Sequence, residues 1–251
     1  MGGYFLMNIL LTLSYDGTNY FGWQRQKNHI SVQQKLEEAL SYLMKKDIEV
    51  RGASRTDTGV HALGQAALLK TETSIPIEKI PYAVNSFLPD DIVVTNARLV
   101  GDDFHPQYSV LKKTYQYKIL NSEFKNPKLR NYSEFIRSPI DINKMRDACQ
   151  YFIGTHDFSA FCASGSTAKT TVRTIFDLSI LKNNDIIDIE VTGNGFLYNM
   201  VRIIAGTLIY VGTDKFKPSF ISEIIKSKDR TLAGKTAGPY GLTLIKIYYK
   251  E

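Results

Sequence analysis

One pattern limits the fold of this chain more than any other: strand, helix, two strands, helix and strand follow one another twice along it. In the first pass Ile9, Leu11, Leu13 and Tyr15 alternate with more polar neighbours, the period of a half-buried strand, and Asp16-Gly17-Thr18-Asn19 ends it. Ser31 and Gln34 form a capping box ahead of Val32, Leu36, Ala39, Leu40 and Leu43, which recur at helical spacing. Strands are predicted over 48–52 and 60–70, a helix over 77–87 with Pro81 in its early turns, and a strand over 92–100. The second pass gives a strand over 110–120 and a helix over 141–153, with Asp141 as its cap and Gly154 just past its end. Strands over 172–182 and 186–192 join through the turn Asn183-Asn184-Asp185. A helix over 196–211, a short one over 219–227 and a strand over 241–249 complete it. Two split βαβ units in tandem, an α+β class, follow from this order, divided as residues 7–105 and 106–251.

The chain has 251 residues, 43% hydrophobic and 22% charged, which is enough to bury a core without disulfides. Its two cysteines, Cys149 and Cys162, are too few for a disulfide framework and lack zinc spacing, so reduced thiols are expected. The apolar opening MGGYFLMNILLTL has no basic segment before it, no cleavage site and too little length for a membrane span. A cytosolic protein is therefore expected, with Met1 or Met7 as its start. A formal charge of +6 favours a polyanionic partner.

Cofactor motifs fail on inspection. Gly234-Lys235-Thr236 ends like a phosphate-binding loop, but Asp229 stands where the first glycine belongs. Gly193-Asn194-Gly195 lacks the third glycine of a dinucleotide site, because Tyr198 fills that place. His29, His61, His105 and His156 show no metal spacing. No cofactor and no metal are expected. The polar segments 121–140 and 165–171 are read as long loops that contact a partner or simply cover the surface.

The stretch RGASRTDTGVHALGQ places Asp57 in a loop between two strands, beside Arg55, Thr56, Thr58 and Gly59. One reading is a side-chain turn with an Arg55–Asp57 ion pair. The other is a catalytic carboxylate that Arg55 holds ionised, since a neighbouring cation lowers an aspartate's pKa. Local chemistry weighs the two evenly.

Eight blocks in order tip that balance. RGASRTDTGVHALGQ resembles the signature of the TruA family of tRNA pseudouridine synthases. YDGTNYFGWQRQ, DFHP, KKTYQYKI, GTHDFSAF, TVRTI, GNGFLYNMVRIIAGTL and AGPYGLTL resemble that family's other blocks, so the likeness runs from residue 8 to 249. It implies one extended, mainly antiparallel sheet with helices on one side and a central cleft. It also implies a cytoplasmic homodimer that isomerises uridine to pseudouridine on the 3′ side of the tRNA anticodon arm. Asp57 would be the catalytic carboxylate, attacking the ribose or removing a ribose proton. Tyr115 would stack on or hydrogen-bond to the base, Arg55 would hold the nucleotide flipped, and Arg202 would lie near Asp57. Leu242 and Leu244 would wall the uracil pocket, though strand packing explains them nearly as well. Lys112, Lys113, Lys169 and Arg173, with Lys125, Lys128 and Arg130, suit phosphate contacts. Two positions depart from the family pattern: Pro106-Gln107 replaces a common Ala-Arg, and Gly238 replaces a common proline. The rival readings are the same chemistry on another RNA such as ribosomal RNA, a non-catalytic RNA-binding module, and a small-molecule enzyme of ferredoxin-like fold.

Overall fold

A computed structural model describes residues 6–250, so the reading of residues 1–5 lies outside the described part. The first pass of the pattern is β1 (Met7–Tyr15), α1 (Val32–Met44), β2 (Val50–Gly52), β3 (His61–Thr71), α2 (Ile80–Asn85) and β4 (Ile92–Val100). The second is β5 (Val110–Asn121), β6 (Glu134–Ile136), α3 (Ile142–Cys149), β7 (Gly154–Asp157), β8 (Val172–Asn183), β9 (Ile186–Gly193), α4 (Met200–Gly212), α5 (Phe220–Ser227) and β10 (Leu242–Tyr249). The fold is α+β with mainly antiparallel strand pairs, as the element order requires.

The chain forms two compact units, the first of which is not contiguous in sequence. Unit 1 comprises the residues up to Leu111 and those from Leu244 on; unit 2 runs from Lys112 to Thr243. The chain thus leaves unit 1 within β5 and returns to it within β10.

In unit 1, β1 lies between β3 and β4, with Leu10 opposite Leu68 on one side and Arg98 on the other. β2 takes the other edge of β3, Val50 opposite Leu69, giving the order β4-β1-β3-β2 of a split βαβ unit. β10 lies along the same edge of β3, so close at Gly64 that a Cβ there would come 2.4 Å from the Ile245 carbonyl oxygen. Ile9, Leu11, Leu13, Leu36, Leu40, Leu69 and Ile80 are fully buried and form the core. Ser31 caps α1 by accepting from the Gln34 amide. The reciprocal half of the expected capping box is missing, because the Gln34 side chain donates to Glu38 instead.

Unit 2 is built on the order β5-β9-β8-β7. Tyr115 faces Val191 across β5 and β9, and β8 and β9 turn through Asn184, whose φ of 51° suits the expected hairpin. α4 is apolar on nearly every side and is packed all round, which is why its sequence shows little amphipathic contrast. Gly206 permits this: a Cβ there would come 1.9 Å from the Lys235 carbonyl oxygen.

Several elements differ from the sequence reading. α4 begins at Met200 and not at 196, because Asn199 sits in the left-handed region at φ 59° and interrupts helical geometry. α3 stops at Cys149 and tightens into a 3₁₀ turn to Phe152; Gly154, at φ 104°, opens β7 and does not cap the helix. The polar segment 121–140 contains β6, which pairs in parallel with β5 through Ile119 and Glu134. Likewise α2 is short, and a separate 3₁₀ turn, Ile77–Lys79, precedes it.

Candidate active site

In unit 1 the Asp57 loop connects β2 to β3, and its backbone is anchored at nearly every residue. The Ala53 amide donates to the Ala66 carbonyl (2.8 Å), and the fully buried Gln65 amide donates to the Ser54 carbonyl (2.8 Å). Thr56 is held twice: its carbonyl accepts from the Trp23 amide (3.1 Å), and its hydroxyl shares a hydrogen bond with the Tyr15 hydroxyl (2.8 Å). The turn that follows is closed by the Val60 amide donating to the main-chain oxygen of Asp57 (3.1 Å). Its third residue is Gly59 at φ 76°, a conformation that explains the glycine in the motif. Gly22, at φ 78°, lets the neighbouring turn approach: a Cβ there would come 2.3 Å from the Thr56 carbonyl oxygen. The β1 turn is tied in as well, since His61 Nδ1 accepts from the Gly17 amide (3.1 Å). Asp57 is half-buried on this frame.

Arg55 is exposed, and it lines a cavity of about 180 Å³ that Asp57 does not line. Thr56, between them in sequence, is buried and pinned at both its carbonyl and its hydroxyl. Gln33, which also lines that cavity, is the centre of a buried polar network that the sequence reading missed. Gln33 is saturated: its Oε1 accepts from the Gln24 side chain (2.9 Å) and the Arg25 amide (3.1 Å), and its Nε2 donates to Glu37 (2.9 Å) and the Val50 carbonyl (3.1 Å). Glu37, nearly inaccessible to solvent, is ion-paired with Arg25 at 2.8 Å. On α1 these positions carry the buried face, and only a polar residue at a core register could have signalled them.

In unit 2 Tyr115 is buried, as the packing reading required, and its ring meets Phe196 edge-on at 5.3 Å. Arg202, on α4, donates from Nε to the Ala237 carbonyl (2.8 Å) and from a terminal nitrogen to Asn199 Oδ1 (2.7 Å). Its own carbonyl accepts from the Ala237 amide (3.1 Å), so α4 and the segment before β10 are held together at this residue. Leu242 is buried and stands on the same face of β10 as the fully buried Leu244, which belongs to unit 1.

The basic residues fall into distinct environments. Lys112 and Lys169 are exposed. Lys113 is largely desolvated, and burial pushes its ammonium down to about 8. Arg173 donates to the carbonyls of Thr170 (2.9 Å) and Val172 (2.7 Å), closing the end of the 165–171 loop. Partial burial lowers its pKa from the ordinary arginine value. Among the described residues no three His, Cys, Asp or Glu side chains converge on a point that would hold a metal ion. Cys149 is buried, with its thiol pushed up to about 12, and Cys162 is half-buried; both are free thiols.

The departure at Gly238 has a structural reason. Its amide donates to Glu134 Oε2 (3.0 Å), which a proline could not do, and a Cβ would come 2.6 Å from that same oxygen. Glu134 also receives Lys235 (3.2 Å) and the Tyr117 hydroxyl (3.3 Å), so β6 is fixed through one buried carboxylate.

Comparison with known proteins extends the likeness from motifs to the whole chain. The family model described as tRNA pseudouridine synthase matches residues 12–109 and 148–250. A protein named tRNA pseudouridine synthase A from Thermoanaerobacter sp. (strain X514) is 56% identical over 244 residues, 97% of this chain and 100% of its own. Its namesake from Caldicellulosiruptor saccharolyticus is 51% identical, and tRNA pseudouridine synthase A 2 from Clostridium tetani is 50% identical, covering 97% and 96% of this chain and 100% and 98% of their own. The first matched segment contains the Asp57 loop with the β1 turn that braces it, and the second contains α4 and β10. With both halves matched in order and at full length, the chain belongs to the tRNA pseudouridine synthase family, an isomerase family.

Proposed function

We propose that this protein isomerises uridine to pseudouridine on the 3′ side of the anticodon arm of tRNA, with Asp57 as the acting carboxylate and no cofactor. Family membership supports the reaction. The observation that supports Asp57 is its frame: a half-buried carboxylate on a loop whose neighbours are fixed by Tyr15, Trp23, Gln65 and Gly59. Such fixing lowers the reorganisation needed when charge develops on the ribose.

The reaction breaks the bond between N1 of uracil and C1′ of the ribose, turns the base, and joins C5 to C1′. The C5 proton leaves and N1 gains one, so composition is unchanged and no oxidant or group donor is needed. Asp57 serves either by attacking C1′, giving a covalent ester that the rotated base displaces, or by taking the C2′ proton to give a glycal that the base re-adds across. Tyr115 supplies an aromatic surface for the extruded base. Arg202 holds the carboxylate and the nucleotide in register, Arg55 keeps the nucleotide flipped, and Leu242 and Leu244 exclude water from the uracil. The lysines at 112, 113 and 169 and Arg173 meet the phosphate backbone. The enzyme works as a cytoplasmic homodimer; light scattering on the purified protein tests that state.

The test is Asp57→Asn, assayed on unmodified tRNA transcripts with pseudouridine mapped by chemical labelling and reverse-transcription stops. We expect stops in the anticodon arm with the native protein and a loss of at least about 10³-fold in rate for the variant, with RNA affinity within a few-fold. Unimpaired turnover by Asp57→Asn would remove the carboxylate from the mechanism. Stops only in ribosomal RNA would move the substrate but leave the chemistry.

A further inference from the structure

The cavity of about 180 Å³ beside the Asp57 loop is a built polar site, and the roles given above to Asp57 and Tyr115 do not use it. It is lined by Trp23, a residue 1% exposed, and by Gln33, which is held by Glu37, itself paired with Arg25. The indole Nε1 of Trp23 lies beside Gly52. Gly52 is what leaves it open: a Cβ at Gly52 would come 2.1 Å from that nitrogen. Gln24 is orientated by its one bond to Gln33, which uses a side-chain N–H and leaves its carbonyl oxygen available. Two guanidinium groups, Arg51 and Arg55, stand exposed on the rim. His105 completes it, stacked on the exposed Tyr108 ring at 4.2 Å and with Nδ1 occupied by the amides of Gln107 and Tyr108. The neutral ring therefore keeps its proton on Nε2.

An indole donor, an acceptor orientated by Gln33, stacked rings and two rim cations make up the recognition chemistry of a single unstacked nucleotide. The volume is well below the roughly 300 Å³ at which sites for drug-sized molecules begin, so one base fits and a dinucleotide does not. We propose that this cavity is a second nucleotide subsite, which takes the base adjacent to the target uridine while Arg51 and Arg55 meet its phosphate. The inference rests on the reading of Asp57 as the catalytic residue, since the Trp23 amide and Arg55 tie the cavity to that loop.

Trp23 is the only tryptophan in the chain, so its fluorescence reports on the cavity alone. The experiment titrates the protein with tRNA transcripts that each carry one abasic nucleotide flanking the modified uridine. Tryptophan quenching and kcat/KM for pseudouridine formation are both read. We expect one abasic position to remove most of the quench and to lower kcat/KM about ten-fold or more. In Gln24→Ala and Arg51→Ala, both exposed and outside the core, the same abasic position should cost less than two-fold further. Quenching that is indifferent to every abasic position would overturn the subsite, as would a full abasic penalty persisting in both variants. Abasic-sensitive quenching in a protein that forms no pseudouridine would support the subsite and sink the catalytic reading, so the two fail separately.

Discussion

At the scale of single residues the two sides of the proposed chemistry are prepared differently. Asp57 takes its position from backbone anchors on both sides, whereas Lys113 takes its character from desolvation. With a pKa near 8 in the free protein, Lys113 is mostly charged at pH 7 and mostly neutral at pH 9. A phosphate beside it would restore the ordinary value near 10, so binding takes up a proton across that window. The affinity for tRNA should then fall about ten-fold between pH 7 and pH 9, measured by filter binding at fixed salt. Lys113→Met should bind more weakly at pH 7 and lose this fall; a variant that retains it would free Lys113 from any phosphate. Stability runs in the opposite sense. The unfolded chain holds the proton above pH 8 where the folded one does not, so this residue makes the fold more stable as pH rises from about 8 to 10. The sequence shows a lysine on a strand next to the tyrosine block; only the packing around it reveals the depressed pKa.

Among the elements, β7 and the loop after it are fixed by one carboxylate. Asp157 Oδ1 accepts from the amide and hydroxyl of Ser159 and from the Thr171 hydroxyl (2.6 Å), and Oδ2 meets Lys228 at 2.9 Å. Bonds from Ser159, then Thr171 and Lys228, hold the carboxyl far below the usual range. The end of β7, the start of β8 and the residue after α5 are thereby joined, which gives a physical reason for the block GTHDFSAF. A depressed carboxylate stabilises the fold above its unfolded pKa near 4, and that contribution is lost as pH falls through the folded value. Asp157→Asn should cost about 1–2 kcal/mol at pH 7, a fall in Tm of several degrees by calorimetry. The variant should also lose less stability than the native protein below pH 4; equal acid sensitivity would show that the clamp contributes nothing. Legibility varied among the elements for related reasons. The Ser31 cap and the Asn183–Asp185 hairpin were readable because local chemistry fixes them. β6 was not, because three residues in a polar segment become a strand only through Glu134 and its long-range partners. The start of α4 was misplaced because Phe196 and Leu197 extend its apolar run, while Asn199 breaks the geometry.

For the whole molecule, element order was enough to give the α+β class, but not the return of β10 to unit 1, which is set by contacts between residues far apart in sequence. Of the site, the Asp57 loop was legible as a motif, whereas the Trp23 cavity was not, because its members come from four separate segments. No helix among the described residues is long and apolar enough to cross a membrane. Separately, the net charge of +6 bears on the polyanionic substrate proposed above. Six cations, Arg51, Arg55, Lys112, Lys113, Lys169 and Arg173, are assigned above to phosphates. Neutralising about six phosphates releases condensed counterions, so the affinity for tRNA should fall about 10³-fold between 50 and 200 mM salt, and the logarithmic plot should be linear. Lys169→Ala, on an exposed loop, should lower the slope by about one without changing Tm. A small-molecule enzyme of the same fold would show no such slope, because its substrate releases no counterion atmosphere. A flat salt dependence at full activity would therefore mean that shape and base contacts, and not these cations, hold the RNA.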